Sequence, residues 1–475
     1  MNFISITYLA FLIVAMILYY VIPKNKQWIL LLVFSIFFYS CFSLKGWIFL
    51  LCTALTTFCY GRFLAASKQG LFLITGMNLL LLLGLKTIGS DLGFVTQLGI
   101  SRFAVLIPVG ISFYTLQTIA YMADVHKGKV EPQKNFFKYL LFITFFPQIL
   151  QGPIPRYDQL SDQLFAGHRY NEEQVVSSAY LILWGFFQKM VIADRCNLVV
   201  NQIFANYTRY DGIYFWIAGI LYSLQLYMDF AGCVSIALGS AGLFGIRLPE
   251  NFDHPYFATS MKDFWRRWHI TLSSFLRDYV YIPMGGNRKG KLRKWFNIMV
   301  TFALSGIWHG IGTHYLVWGL LHGFYQVAGE ALIPVKKAMM KVSGMQKGSF
   351  SHVFFSRLFT GFLAMVAWIF FRAENTSKAM YMTMHLFMRG NFWVLVSGEL
   401  NVLLKEEEWL LLILSVVLLI VIAMLHERGL AIRKAFAKQP LVFRWLVLYA
   451  AIFTILIAGI YGPGYDAAQF IYGGF

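Results

Sequence analysis

Residues 261–310 read MKDFWRRWHITLSSFLRDYVYIPMGGNRKGKLRKWFNIMVTFALSGIWHG. Two histidines, His269 and His309, each follow a tryptophan, and a dense run of arginine, lysine and tyrosine lies between them. On both sides the chain is dominated by long apolar runs. Polar and ionisable groups are costly to keep in such surroundings, so their concentration in one place marks a functional site.

Working outward, the 475 residues are 58% hydrophobic and 13% charged. A soluble chain carries roughly a quarter charged residues. Apolar runs of about 17–25 residues, the length that crosses hydrocarbon, recur throughout. Only helices or closed barrels satisfy the backbone in lipid, and the alternating ten-residue strands of a barrel are absent. The expected fold is therefore an all-α polytopic membrane protein.

The balance of 40 Lys+Arg against 22 Asp+Glu gives +18. These basic residues sit mostly in short loops beside apolar spans, where they orient the chain, so nucleic acid is not the expected partner. Cys41, Cys52, Cys59, Cys196 and Cys233 show no paired disulfide or metal spacing. The N-terminal MNFISITYLAFLIVAMILYYVIP lacks a charged n-region and reads as a retained first span.

Spans are expected at 3–22, 28–42, 46–61 and 70–85, with the N-terminus outside. Residues 103–122 are apolar but carry Pro108, Gly110, Ser112, Gln117 and Tyr121, which suits a helix enclosed by protein rather than lipid. Residues 139–153 are short and broken by Pro147, so a re-entrant or broken helix is expected. Spans follow at 174–194 and 212–232, and then 244–292 has none. Within it, 259–282 is amphipathic, with Trp265, Trp268, Leu272, Phe275 and Leu276 on one stripe, and reads as an interfacial or re-entrant helix. Spans resume at 295–311, 314–333, 353–371, 408–426 and 440–462. The lysine-bearing loop 334–352 and the basic loop 427–438 read as cytoplasmic. The total is about eleven transmembrane helices plus partial ones. They form a single domain over 1–475, with a core at about 100–330 and C-terminal helices at about 353–462.

Several familiar motifs fail. Gly285–Lys291 opens like a phosphate loop but continues with Leu292 and follows no buried strand. His426-Glu427 begins a zinc-protease pattern without its second histidine, and no G-x-S-x-G elbow occurs. His309, His314 and His322 lack the helical spacing and acidic neighbours of a metal site, so no metal is expected. His309 itself admits two readings. Gly306 and Gly310, at small-xxx-small spacing, suit a close helix interface. A neutral buried histidine equally suits a general base. The tryptophans around His269 suit a membrane-interface anchor with snorkelling arginines. The basic run Arg288, Lys289, Lys291, Arg293 and Lys294 serves either as a positive-inside stop or to attract phosphates of a cytoplasmic donor.

With these residues the chain resembles the membrane-bound O-acyltransferase family, in its bacterial polysaccharide-modifying branch of alginate and peptidoglycan O-acetyltransferases. The likeness rests on PVGISFYTLQTIAYMADV (108–125), FFPQILQGPIPRY (145–157), LQLYMDFAG (224–232), GIRLPENFDHPYFATSMKDFWRRWHITLSSFLRDYVYIPMGGNRKG (245–290), SGIWHG (305–310) and WIFFRAEN (368–375). The tail QFIYGGF (469–475) departs from the family's aromatic ending at Gly473 and Gly474. D-alanyl transferases of teichoic acid are a shorter relative with similar central motifs.

The resemblance implies a helical rim around a central funnel in a bacterial cell membrane. It puts His309 in the principal catalytic position and His269 in the second. Trp268, Arg277, Tyr281, Arg288 and Lys289 become candidates for holding the donor. It further implies acetyl-CoA as the cytoplasmic acyl donor and no resident cofactor. The acceptor would be a hydroxyl of an extracytoplasmic glycan, reached through a secreted or anchored partner resembling an SGNH hydrolase. A base for the hydroxyl proton and dipoles for the oxyanion are what such a transfer needs. A covalent acyl-histidine relay stays open beside direct transfer, D-alanyl transfer stays the alternative substrate, and a small-solute transporter is the alternative of another class.

Overall fold

The computed structural model describes residues 2–88 and 108–461. Part of the segment expected at 103–122 and the tail 469–475 lie outside the described residues. Those described are all helix and connecting loop, without strands. In chain order, α1 is Ile6–Val21, α2 Lys24–Ser40, α3 Gly46–Phe63, α4 Lys68–Ile88, α5 Ile111–His126, α6 Phe136–Thr144 and α7 Tyr157–Ala166. Helix α8, Glu172–Phe186, continues through a π-helical turn, Phe187–Ala193, into α9, Asp194–Ala205. Then follow α10 Ile213–Gly242, α11 Met261–Arg267, α12 Ile270–Leu276 and a π-helical turn at Arg277–Tyr281. The remainder is α13 Gly290–His309, α14 Thr313–Ala331, α15 Ile333–Ser343, α16 Phe350–Arg372, α17 Thr376–His385, α18 Glu406–Glu427, α19 Ile432–Ala437 and α20 Leu441–Ala458.

Against about eleven expected spans, six helical stretches among the described residues are long and apolar enough to cross a membrane. They are Lys68–Thr87, Glu172–Ala205, Ile213–Gly242, Phe350–Arg372, Glu406–Glu427 and Leu441–Ala458. Helix α1 is apolar but 16 residues long. Helix α13 carries Lys291, Arg293, Lys294, Asn297 and His309, and α14 carries His314, His322, Gln326 and Glu330 among their apolar residues.

The chain divides into two compact units. The first comprises Met1–Phe186, Phe230–Glu250 and Tyr461–Phe475. In it α5 is the enclosed helix that its polar residues predict: every residue from Ile111 to Met122 is buried. The Gln117 amide donates to the Phe142 carbonyl at 3.0 Å, which satisfies both groups away from water. Gly110 starts this helix at φ +77, and a Cβ there would lie 2.2 Å from the Ile149 carbonyl oxygen. Glycine alone meets both conditions. Helix α6 ends at Thr144 before buried turns through Pro147, the broken helix expected at 139–153.

The second unit comprises Phe187–Asp229 and Asn251–Ile460. Its centre is the hairpin of α13 and α14. A Cβ on Gly306 would lie 2.3 Å from the Tyr315 carbonyl oxygen, and one on Gly319 2.2 Å from that of Phe302. The two backbones therefore touch where the glycines stand, the close approach that small residues permit. The amphipathic segment 259–282 is two short helices broken at Trp268–His269. Its aromatic stripe does not anchor in lipid. Trp265, Trp268, Leu272 and Phe275 are buried within the protein, with Trp265 and Trp268 against rings of α14 and α16.

Candidate functional site

The break between α11 and α12 presents His269. Its backbone adopts φ +43, the left-handed region, and only His254 shares this among the described non-glycine residues. Such a conformation persists when its surroundings over-determine it. Here the determinant is Asn251, fully buried. Its side-chain oxygen receives the Thr271 amide at 3.1 Å and the Thr271 hydroxyl at 2.9 Å, and lies 3.2 Å from His269 Nδ1. Its backbone carbonyl accepts from the Ile270 amide at 3.0 Å.

A backbone amide can only donate, so the atom facing Thr271 is the carboxamide oxygen. His269 Nδ1 must then carry the hydrogen, which leaves the lone pair on Nε2. This is the tautomer of an acid–base histidine steered by an orienting acceptor.

His309 is the last residue of α13 and is buried. Its ring stands edge-on to Trp318 at 5.0 Å and to Phe371 at 5.1 Å. The Trp308 ring lies 4.7 Å from His309 and 6.3 Å from His269, so one indole borders both histidines. The Gly306 contact with α14 sets His309 beside Trp318, so the two readings of SGIWHG are compatible: the glycine interface is what places the histidine.

Beyond Trp318 lies His322, fully buried, with ring centroids 5.1 Å apart. The Trp265 indole donates to His322 Nδ1 at 3.2 Å, so the His322 hydrogen is on Nε2. Neither His322 Nε2 nor Trp318 Nε1 has a hydrogen-bond acceptor among the described residues. Two buried N–H donors on neighbouring rings with no acceptor among the described residues are an exception that calls for a reason. Asn251, Trp318 and His322 carry no local motif that announces such a role.

The other candidates separate. Trp268 is deep in an aromatic cluster with Phe264, Trp368 and Phe252. Arg277 and Tyr281 lie on the π-helical turn, and Arg288 and Lys289 on the loop that follows it before α13. Arg277 forms a two-pronged pair with its neighbour Asp278, at 2.7 and 3.1 Å, which holds the guanidinium pKa above its ordinary value. Arg288 and Lys289 are exposed. Asn297, fully buried in α13, donates to the Gly286 carbonyl at 2.9 Å and pins this basic loop. The trio His309, His314 and His322 does not form a metal-ligand cluster among the described residues.

The model of the membrane-bound O-acyltransferase family matches residues 133–370, which include Asn251, His269, His309 and His322. The chain belongs to the membrane-bound O-acyltransferase family. It is 36% identical over 312 residues to a probable alginate O-acetylase of Pseudomonas syringae, covering 65% of this chain and 57% of that protein. To the peptidoglycan O-acetyltransferase of Helicobacter pylori it is 35% identical over 305 residues, 58% of this chain and 56% of the relative. To the teichoic acid D-alanyltransferase of Bacillus subtilis it is 33% identical over 230 residues, 45% of this chain and 56% of the relative. The matched part is thus less than two thirds of each relative's own length. Within this family chain, the paired histidines, the basic loop and the apolar helices are carried by one polypeptide of a membrane protein.

Proposed function

We propose that this chain is an O-acyltransferase that moves an acetyl group from cytoplasmic acetyl-CoA to a hydroxyl of an extracytoplasmic polysaccharide, handing it on through a secreted or anchored partner. The observation that carries this reading is the grouping of His309 and His269, the latter in a single tautomer, with the unanswered donors of Trp318 and His322. Acyl transfer needs one group that takes a proton and others that meet negative charge.

In this reading His309 takes the proton of the hydroxyl that first receives the acetyl group, before it is handed on, as that oxygen attacks the thioester carbon. The carbonyl oxygen becomes an oxyanion, and the Trp318 and His322 N–H groups supply the hydrogen bonds that they lack in the resting protein. Collapse breaks the carbon–sulfur bond, and the sulfur leaves with the proton from His309. His269, held by Asn251, orients the acceptor by receiving at Nε2 a hydrogen bond from a second donor group beside the reacting hydroxyl. The exposed Arg288 and Lys289, with Tyr281 and Arg277, face the phosphates of the donor, while Trp268 packs the aromatic cluster behind His269.

Acetyl is favoured over D-alanyl because the similarity to O-acetyltransferases extends over more of the chain. The test is incubation of the purified full chain with acetyl-labelled CoA in proteoliposomes. Release of CoA, with label moving to glycan when the partner is present, is expected. Inertness toward acetyl-CoA beside activity with a D-alanyl carrier protein would overturn the acetyl reading. Transport of an unmodified solute would instead favour the transporter.

A further inference from the structure

The dipeptide His426-Glu427 lacks its second histidine in the sequence, yet the fold supplies one. His254 lies on the linker between α10 and α11, and its ring centroid is 4.5 Å from that of His426 in the last turn of α18. The neighbouring Asp253 carboxylate is 3.4 Å from His254 Nδ1. One ligand atom from each of the three residues falls within 4.8 Å of the other two. We propose that Asp253, His254 and His426 bind a divalent transition-metal ion, zinc by the donor set, and that the ion clips the linker to the end of α18.

The donor chemistry selects the class of ion. Two imidazoles and one carboxylate suit zinc and its neighbours, whereas calcium and magnesium prefer all-oxygen shells. The distances are those of an open site. Metal–ligand bonds of about 2.0–2.1 Å in a tetrahedron put adjacent ligand atoms roughly 3.3–3.4 Å apart. Asp253 and His254 already have that separation, and His426, exposed at the helix end, closes the rest by side-chain rotation. A fourth position is left for water.

Backbone and charge agree. His254 is held at φ +44, the second of the two left-handed non-glycine residues described. Strain of that kind gathers at ligand clamps. His426 is in the last turn of its helix, where the dipole favours a cation. Two nearby guanidiniums are engaged elsewhere. Arg267 and Arg357 both pair with Glu427, and Arg267 reaches the backbone carbonyl of Asp253 rather than its carboxylate. Two residues before Asp253 stands Asn251, so the clip would steady the segment that orients His269. That coupling rests on the proposed acyltransfer; the metal site itself does not.

The experiment uses the full chain, purified without a polyhistidine tag, stripped by chelator and titrated with zinc in detergent. One zinc per chain is expected, with a dissociation constant in the micromolar range or tighter and a rise in melting temperature on loading. Cobalt in place of zinc should give the visible absorption of a tetrahedral site. His254→Ala and His426→Ala should each weaken binding at least 10-fold and abolish the thermal shift. Equal metal-free melting temperatures for variants and wild type show that the variants are folded. His314→Ala controls for binding at other histidines and should bind as wild type does. Zinc uptake no greater than that of the His254→Ala/His426→Ala double variant, or affinity unchanged in both single variants, overturns the proposal. Since the readout is metal content, failure here leaves the acetyl-transfer test unaffected.

Discussion

The side-chain oxygen of Asn251 lies 3.2 Å from His269 Nδ1, and this contact sets which nitrogen of the imidazole carries the lone pair. Asn251→Ala removes the acceptor from three donors at once. Leaving buried donors unsatisfied costs about 1–3 kcal/mol, so the melting temperature should fall. Loss of orientation should lower kcat by about 10-fold or more, the scale seen when a residue supporting an active histidine is removed. Asn251→Asp retains an acceptor oxygen and should recover part of that loss. Kinetics and thermal melts of both variants check this, and full activity in Asn251→Ala would dissociate His269 from the reaction.

Trp318→Phe separates packing from chemistry. The ring that borders His309 and His322 is largely retained, and only the N–H is lost. That N–H has no acceptor among the described residues, so stability should change little. If it meets the oxyanion, kcat should drop by about 10²–10³-fold with KM nearly unchanged. Unaltered kcat would remove Trp318 from the mechanism.

Those two predictions concern residues to which the sequence pointed weakly or not at all. The Trp-His pairs and Gly306 were legible because each is a local motif. The enclosure of α5 was legible from Pro108, Gly110 and Gln117, polar or helix-breaking residues that a lipid-facing helix rarely carries together. Asn251 was not, because it meets His269 across 18 positions that run through a loop and a helix break rather than one continuous helix. Trp318 reads as an ordinary member of an apolar helix, and His322 enters the sequence reading only as a metal-ligand candidate; only the tertiary placement of Trp265 reveals the His322 tautomer. Counting spans from hydropathy fared less well, since α13 and α14 mix apolar residues with the polar ones of the site. The aromatic stripe at 259–282 left its partner open for a related reason: an interfacial anchor and a protein-buried wall have the same periodicity.

His309→Ala and His269→Ala should each depress acylation by about 10²–10⁴-fold, the range of a positioned acid–base group. If the two act as a unit, the double variant should be little worse than either single one. Membrane abundance of each variant, measured alongside, guards against simple loss of protein. Wild-type rates in His309→Ala with loss confined to His269→Ala would reassign the base to His269, whose Nε2 is already the acceptor nitrogen.

The charges at the α8–α9 turn supply a stability test independent of catalysis. Lys189 lies on the π-helical turn, a local widening often found at functional sites. Its ammonium is 2.8 Å from Asp194 and 2.5 Å from Asp229, and all three side chains are buried. Taking three charges out of water is costly, and their mutual attraction roughly offsets that cost while the set is complete. Lys189→Met leaves two carboxylates facing one another without their shared ammonium. Destabilisation of about 3–5 kcal/mol is expected, seen as a lower melting temperature and reduced membrane abundance. Adding Asp194→Asn and Asp229→Asn removes the repulsion between the two carboxylates and should recover most of the loss. A triple variant no more stable than Lys189→Met alone would mean that the lysine contributes through its packing, not its charge.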